Sequence, residues 1–385
     1  MGAYRRPMRL LHTSDWHLGR SLHGHDLSGA QVAFVDHLVE VVRTEAVDAV
    51  LLSGDVHDRA LPPVEAMQLF GEALRRLRDA GAAVVVISGN HDAPARLGDK
   101  SGLLDPRLSI RTDPARVAEP VVLEDRHGPV AVYAVPYLEP AAVRDVLPGD
   151  RALTGHTGVL TRAMGAIQAD RAARGGRSVA LAHAWVSGGQ ASDSERDITV
   201  GGVANVPAAL FDGIDYTALG HLHRPQQLSD GLRYSGSPLP YSFSEAGQGK
   251  SSWLVELGAT GLASVTAVDQ PVHRRLTALT GTLEGLLSSR AHDAAEADFV
   301  SVVLTDVVRP IDAMNALRRR FPYALVLEHR PPGGPVVDVA SYAARTRGRS
   351  ELEVATGFLS HVRAPATDRE TALLRDALDA ARVGP

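Results

Sequence analysis

Through its first two thirds the chain alternates short apolar runs with amphipathic stretches. Six runs stand out: MRLLHTSD at 8–15, AVDAVLLSGD at 46–55, AAVVVISGN at 82–90, PVAVYAVP at 129–136, SVALAHA at 178–184 and IDYTALGH at 214–221. Each is rich in β-branched or small residues and most stop at Gly, Ser, Asp, Asn or His, so each predicts a strand. Between the first two, residues 28–46 predict a helix. Ser28 and Gln31 read as a capping box, and Val32, Val35, Leu38, Val39 and Val42 as its apolar face. Between the second and third, Pro62 and Pro63 open another helix, with Met67, Phe70, Leu74 and Leu77 as its stripe. Both stripes read as core packing. Strands alternating with helices predict an α/β fold.

The texture changes after Gln270-Pro271. DFVSVVLTD reads as a strand, PIDAMNALRRRF as a helix and ALVLEHR as a strand. Residues 271–340 are therefore expected to form a small α+β cap domain behind a main domain over 1–270. Residues 341–385 are expected to be a linker and a helical tail. Leu374, Leu378 and Ala381, with Leu373 and Ala377, give the tail an apolar face. That face suits docking on a partner helix or on the chain's own body.

Composition narrows the class. The chain has 385 residues, 44% hydrophobic and 22% charged, as in an ordinary globular protein. No apolar run approaches the ~18 residues of a membrane span, and MGAYRRPMRLLHTSDWH turns polar too early for a signal peptide. Cysteine is absent, which removes disulfides and thiolate metal sites and fits a cytoplasmic setting. The net charge of −5 does not suit a purely electrostatic nucleic-acid binder. It leaves room for one that meets DNA through metal ions and a local basic strip.

The polar residues that end the runs carry the chemistry. Ser14-Asp15-Trp16-His17 ends the first, Gly54-Asp55 the second and Gly89-Asn90-His91-Asp92 the third. His183 ends a later run, and Gly220-His221-Leu222-His223 the last. Open α/β sheets bind ligands beyond the carboxyl ends of their strands. Five strand ends would thus bring Asp15, His17, Asp55, Asn90, His91, His183, His221 and His223 into one crevice. Imidazole and carboxylate without sulfur suit two divalent ions such as Mn²⁺, Fe²⁺ or Zn²⁺. Asp55, with two oxygens, suits a bridge between ions about 3.5–4 Å apart. Such a pair would activate a water for attack on a phosphoester. His91 is placed to serve the leaving oxygen. Asp92 either orients His91 through a hydrogen bond or acts as a cap or turn residue.

The motifs DWHLG, GDVHD, GNHD, AHA and GHLH resemble those of the calcineurin-like metallophosphoesterase superfamily. LHTSDWHLGR at 11–20 and YSGSPLPYSFSE at 234–245 further resemble its Mre11-like SbcD nuclease branch. The resemblance implies a four-layer αββα catalytic domain, a cap and a tail. It implies one metal on Asp15, His17, Asp55 and His223, a second on Asp55, Asn90, His183 and His221, and His91 at the transition state. It also implies Mn²⁺ dependence, with 3′–5′ exonuclease activity on duplex DNA and endonuclease activity on single strands and hairpins. The implied assembly is a nucleoid-associated homodimer within a heterotetramer, with an SbcC-like (Rad50-like) ATPase. The helix at 63–79 is a candidate dimer surface. Archaeal and eukaryotic relatives tend to carry histidine three residues after the bridging Asp. Here that residue is Asp58, and His57 before it is read as packed.

A general phosphoesterase acting on a small phosphodiester or a phosphoprotein would use the same motifs. The material after residue 224 favours the nuclease. Arg318, Arg319 and Arg320 in the cap, and Arg345, Arg347 and Arg349 beyond it, are candidate phosphate contacts or a solvated face. A scaffold with purely structural metals would not need so complete a set of ligands beside His91.

Overall fold

In a computed structural model, residues 6–99, 101–195, 198, 205–332, 349–362 and 365–382 are described. All six apolar runs contain strands. The first three are β1 (Met8–Thr13), β2 (Ala49–Ser53) and β3 (Ala83–Ile87), which pair in parallel with β4 (Leu108–Arg111) beyond them. After β5 (Val121–Asp125), the strands β6 (Gly128–Val135), β7 (Arg177–His183) and β8 (Tyr216–Gly220) form a second parallel set. Helices α1 (Ser28–Thr44) and α2 (Val64–Asp79) join the first set, and α3 (Gly155–Arg174) lies between β6 and β7. Short β9 (Gln226–Ser229) and β10 (Leu232–Tyr234) and the longer β11 (Ser251–Gly258) and β12 (Gly261–Asp269) complete two six-stranded sheets. Their orders are β12-β11-β1-β2-β3-β4 and β9-β10-β8-β7-β6-β5.

The period-2 alternation of a strand sorts its side chains into separate cores. Leu11, Val50, Leu52, Val84 and Val86 pack on Phe34, Val35 and Leu38 of α1 and on Phe70, Leu74 and Leu77 of α2. Leu10, Leu51 and Val85 meet Val132, Val179, Leu181 and Tyr216 between the sheets. On the far side, Tyr133, Ala180 and Leu219 pack on Val159, Leu160 and Ile167 of α3. Three cores separate four layers, helix–sheet–sheet–helix. Strands buried on both faces have no polar side, and so their sequences read as unbroken apolar runs.

Two local expectations are corrected. Ser28 and Gln31 do not form a capping box. The Ser28 hydroxyl donates to Asp26, while the Gln31 amide accepts from Gly19 N–H and donates to the His17 carbonyl. That tertiary clamp outbids the local cap. The apolar faces are also narrower than predicted: Val32 and Met67 are both exposed.

A third, parallel sheet follows residue 270, with β13 (Leu276–Gly281), β14 (Phe299–Leu304) and β15 (Ala324–His329). It carries α4 (Leu283–Ser288) and α5 (Ala313–Arg320). The sequence reading had β14, α5 and β15 but not β13, whose pattern is mixed. Met1–Pro331 forms one compact unit that includes this sheet. Leu276 and Phe299 pack with Leu22, Leu27, Leu239 and Tyr241.

Pro332–Pro385 forms a second unit. In it α6 (Glu351–Val362) and α7 (Asp368–Arg382) pack on each other. Leu374 and Leu378 are half-buried and Leu373 is exposed. Among the described residues no helix is long and apolar enough to cross a membrane.

Candidate metal centre and active site

Because β1, β2 and β3 run parallel, as do β7 and β8, their carboxyl ends gather at one edge of the two sheets. Hydrogen bonds stitch those ends together. Asp15 N–H donates to the Gly54 carbonyl and His17 N–H to the Asp55 carbonyl, both at 3.0 Å. His91 N–H donates to Asp55 Oδ1 at 2.9 Å, and His221 N–H to Asp15 Oδ1 at 3.0 Å. The sheets are joined by the Ser53 hydroxyl, which donates to the Ala218 carbonyl at 2.9 Å.

Turning these ends inward requires unusual backbone. Asp15, His17, Asp55 and His221 all have positive φ, at 54°, 44°, 49° and 107°. Such conformations cost on the order of 1–3 kcal/mol each and persist only where the surroundings impose them. Gly89 is required by proximity. A Cβ there would lie 2.0 Å from Asp55 Oδ1.

The seven sequence-derived metal ligands and His91 are brought together. Asp15, His17 and His223 present ligand atoms within 4.8 Å of one another, as do Asp15, Asp55 and His183. Asp55 Oδ2 lies 3.6 Å from His17 Nε2 and 3.6 Å from His183 Nε2, between the two groups. His17 and His223 face each other through Nε2 atoms 3.0 Å apart. Asn90 Oδ1 lies 2.9 Å from His183 Nε2 and 3.2 Å from His221 Nδ1. Leu222 turns away into the core under α3.

The donor set fits divalent cations. His183 Nδ1–H donates to the Ser53 carbonyl at 2.9 Å, so its Nε2 is a bare lone pair. That lone pair faces another acceptor, Asn90 Oδ1, and the buried Asn90 Nδ2 has no partner. A cation beside the two acceptors would be bound by both, the imidazole lone pair and the amide oxygen. Electrostatics agree. Burial first, then the Asp55 charge, hold the Asp15 carboxyl well above the usual range, and burial raises Asp55. Burial and neighbouring imidazoles push His17 and His221 well below their ordinary value; burial and Lys250 do the same to His223. Without a cation, two carboxylates and three imidazoles are thus all driven toward neutrality.

His91 is partly exposed, with its Nδ1–H donating to the Asp58 carbonyl at 2.7 Å. Asp92 does not take part in that bond. It is buried and accepts from Val56, His57 and Gly89 N–H at 3.1, 3.0 and 2.9 Å. Asp92 therefore fixes the loops after β2 and β3, the turn alternative of the sequence reading, and His91 is oriented by Asp58 instead. His57 is buried with its ring edge-on to Phe70.

Residues that sequence reasoning missed hold the ligands from behind. Asp58 Oδ1 lies 3.7 Å from His17 Nδ1. The Ser14 hydroxyl donates to Asp15 Oδ2 and lies 2.8 Å from Ser235 Oγ. Tyr241 donates to the Trp16 carbonyl at 2.5 Å and sets its ring against His17 and His223. Ser194, Glu195, Glu245 and Lys250 surround His223. Ser14 and Asp58 lie in motifs already noted, Ser235, Tyr241 and Glu245 lie in the string YSGSPLPYSFSE, and Ser194, Glu195 and Lys250 have no sequence signal.

The expected DNA contacts that are described differ among themselves. Arg320 is turned inward, bonded to Asp293 at 2.6 Å, Glu296 at 2.9 Å and the Leu286 carbonyl, so it is not a solvent-facing phosphate contact. Arg318 donates to the Ala324 carbonyl, and Arg319 is exposed. Arg345 and Arg347 lie outside the described residues.

Among solved structures, the chain resembles the protein TT1561 of Thermus thermophilus at 14% identity, covering 68% of this chain and 99% of that one, TM-score 0.39. It resembles the calcineurin-like phosphoesterase YfkN of Bacillus subtilis at 14% identity, covering 69% and 90%, TM-score 0.40. It also resembles a dimetal phosphatase of Danio rerio at 11% identity, covering 69% and 100%, TM-score 0.40. The sequence profile of calcineurin-like phosphoesterases matches residues 8–225, more than half of the chain. The chain belongs to the calcineurin-like phosphoesterase family, whose members carry a dinuclear metal centre.

Proposed function

We propose that the chain is the nuclease subunit of an SbcCD-type complex. In this reading it is a 3′–5′ exonuclease on duplex DNA and an endonuclease on single strands and hairpins, serving DNA repair, recombination and replication. The observation that carries the reading is the placement of YSGSPLPYSFSE. Ser235, Ser237, Tyr241 and Glu245 from that string reach into the metal centre and brace Asp15, His17 and His223. The segment that resembles the nuclease branch thus lies against three of the ligand candidates.

Asp15, His17, Asp55 and His223 would hold one cation, and Asp55, Asn90, His183 and His221 the other, with Mn²⁺ the ion assigned. Two bound cations supply positive charge against the phosphoryl oxygens and acidify water. The chain's own residues do the rest. Asp58 holds the His91 ring with Nδ1–H engaged, so Nε2 is left for the substrate. Carrying a second proton on Nε2, the ring would hydrogen-bond the phosphoryl group and pass that proton to the leaving oxygen as water adds to phosphorus and the P–O bond breaks, ending as neutral imidazole. Asp92 keeps the two loops at a fixed separation. The ATPase partner and the homodimer belong to the same proposal, with α6 and α7 as the docking segment and the cytoplasm as the setting.

The inward turn of Arg320 favours a second reading, a general phosphoesterase acting on a small phosphodiester. The test gives the Mn²⁺-loaded protein, alone and with an SbcC-type ATPase, a labelled DNA hairpin and bis-p-nitrophenyl phosphate in parallel. Hairpin cleavage that rises with the ATPase and ATP is expected. Hydrolysis of the small diester without DNA cleavage under any of these conditions would leave the second reading.

A further inference from the structure

His183 is held from behind by a backbone carbonyl. His223 is held differently, by a side chain from a separate loop. Ser194 Oγ lies 2.5 Å from His223 Nδ1 and 2.6 Å from Glu245 Oε1. An ionised Glu245 only accepts, so the Ser194 hydroxyl must donate to it. Its oxygen is then free to accept from His223 Nδ1–H. Glu245 in turn is paired with Lys250, whose ammonium also donates to the His223 carbonyl at 2.8 Å and to Ser237 Oγ at 3.0 Å. Ser194, Glu245 and Lys250 are all buried.

The same loop grips His223 a second time. Glu195 Oε1 accepts from His223 N–H at 2.7 Å, and Glu195 Oε2 accepts from Ser192 N–H at 2.8 Å. Arg20, lying over the Tyr241 ring, donates to the Ser194 carbonyl at 2.9 Å. The loop of residues 192–195 is therefore tied to the N–H and Nδ1 of one ligand candidate. It is tied as well to the strand-end segment that carries another, His17.

We propose that Ser194 is a positioning residue of the metal centre: its hydroxyl, held by Glu245, fixes the His223 ring with Nδ1 protonated and the Nε2 lone pair aimed at the cation shared with His17. No proton moves in this arrangement. The hydrogen on Nδ1 stays with His223 and the hydroxyl hydrogen stays on the bond to Glu245. The loop thereby sets the affinity of one cation and not the other, because His183, Asn90 and His221 have no bond to it among the described residues. The inference rests on the two-cation reading of the site.

The test measures Mn²⁺ stoichiometry and affinity by calorimetric titration of the full chain, with wild type, Ser194→Ala and Ser194→Thr. Loss of a group behind a metal ligand typically weakens binding about 10–100-fold. Ser194→Ala is expected to weaken one of the two ions by that factor and to leave the other unchanged. Ser194→Thr, which keeps the hydroxyl, restores it. Thermal melting in chelator separates positioning from general damage, and the metal-free melting temperature of Ser194→Ala should match wild type. Wild-type affinity for both ions in Ser194→Ala would overturn the inference alone, as would a loss that Ser194→Thr does not restore. Wild-type protein that bound no Mn²⁺ would overturn the two-cation reading together with it.

Discussion

His17 and His223 meet Nε2 to Nε2 at 3.0 Å, with both residues fully buried. The His223 hydrogen is committed on the far side of its ring, so its near nitrogen is a lone pair. Either His17 supplies a hydrogen to that lone pair, or both nitrogens turn lone pairs on one cation. Beside them the Asp15 and Asp55 carboxyls are pushed up by burial. A cation at this place therefore competes with protons. Mn²⁺ binding is expected to release protons and to weaken as pH falls through the raised carboxyl range. Titration in buffers of different ionisation enthalpy reads the proton count directly. Binding with no proton release would contradict the assigned states.

His91 meets the metal centre through its main chain and its ring packing on His17, and its ring nitrogen lies within 4.8 Å of ligand atoms of His17 and Asp58, outside the two groups that hold Asp15. His91→Ala is therefore expected to keep the fold and both cations while turnover falls about 10²–10⁴-fold, the range of a positioned acid or base. Diester hydrolysis and metal content measured on the same sample check it. Unchanged turnover would remove His91 from the reaction.

Gly89 carries no chemistry yet has no room for a methyl group. Its Cβ would sit 2.0 Å from Asp55 Oδ1 and 2.3 Å from Asp55 N. Gly89→Ala is expected to displace the shared carboxylate and cost both Mn²⁺ affinity and activity. Gly71→Ala on α2, where nothing lies within 4 Å, is the control and should leave both intact.

His12 is a fully buried imidazole that the chemistry does not use. It sits 2.9 Å from the Tyr216 hydroxyl and donates from Nε2 to the Leu219 carbonyl. Burial lowers its pKa from 6.5 to about 3. The folded state holds it neutral while the unfolded chain takes up the proton, so the stability it contributes is present above pH 6.5 and lost between pH 6.5 and 3. The slope is roughly 1.4 kcal/mol per pH unit for one proton. Urea unfolding in chelator at several pH values, for wild type and His12→Gln, should give a shallower acid slope in the variant. Parallel profiles would contradict the neutral burial.

The strand ends were legible because a polar residue closing an apolar run is a local signal, and parallel pairing then gathers those ends by geometry. Asp15, Asp55, Asn90, His183 and His221 needed nothing further. What lies behind them was not legible. Ser194 and Glu245 reach His223 only after two loops fold across the sheet edge, and neither has a spacing that announces it. Gln31 was misread for the same reason, since its partners His17 and Gly19 belong to another loop. Arg320 reads from sequence as a phosphate contact or a solvated face, and its pairing with Asp293 and Glu296 appears only once α5 is packed.

The claim on which the rest depends is that Asp55, with Oδ2 at 3.6 Å from both His17 and His183, is shared by two cations. Electron paramagnetic resonance of the Mn²⁺-loaded protein tests it most directly. The account predicts two ions per chain and an exchange-coupled spectrum that Asp55→Asn converts to that of isolated Mn²⁺. A single ion per chain, or an uncoupled spectrum in the wild-type protein, would contradict it.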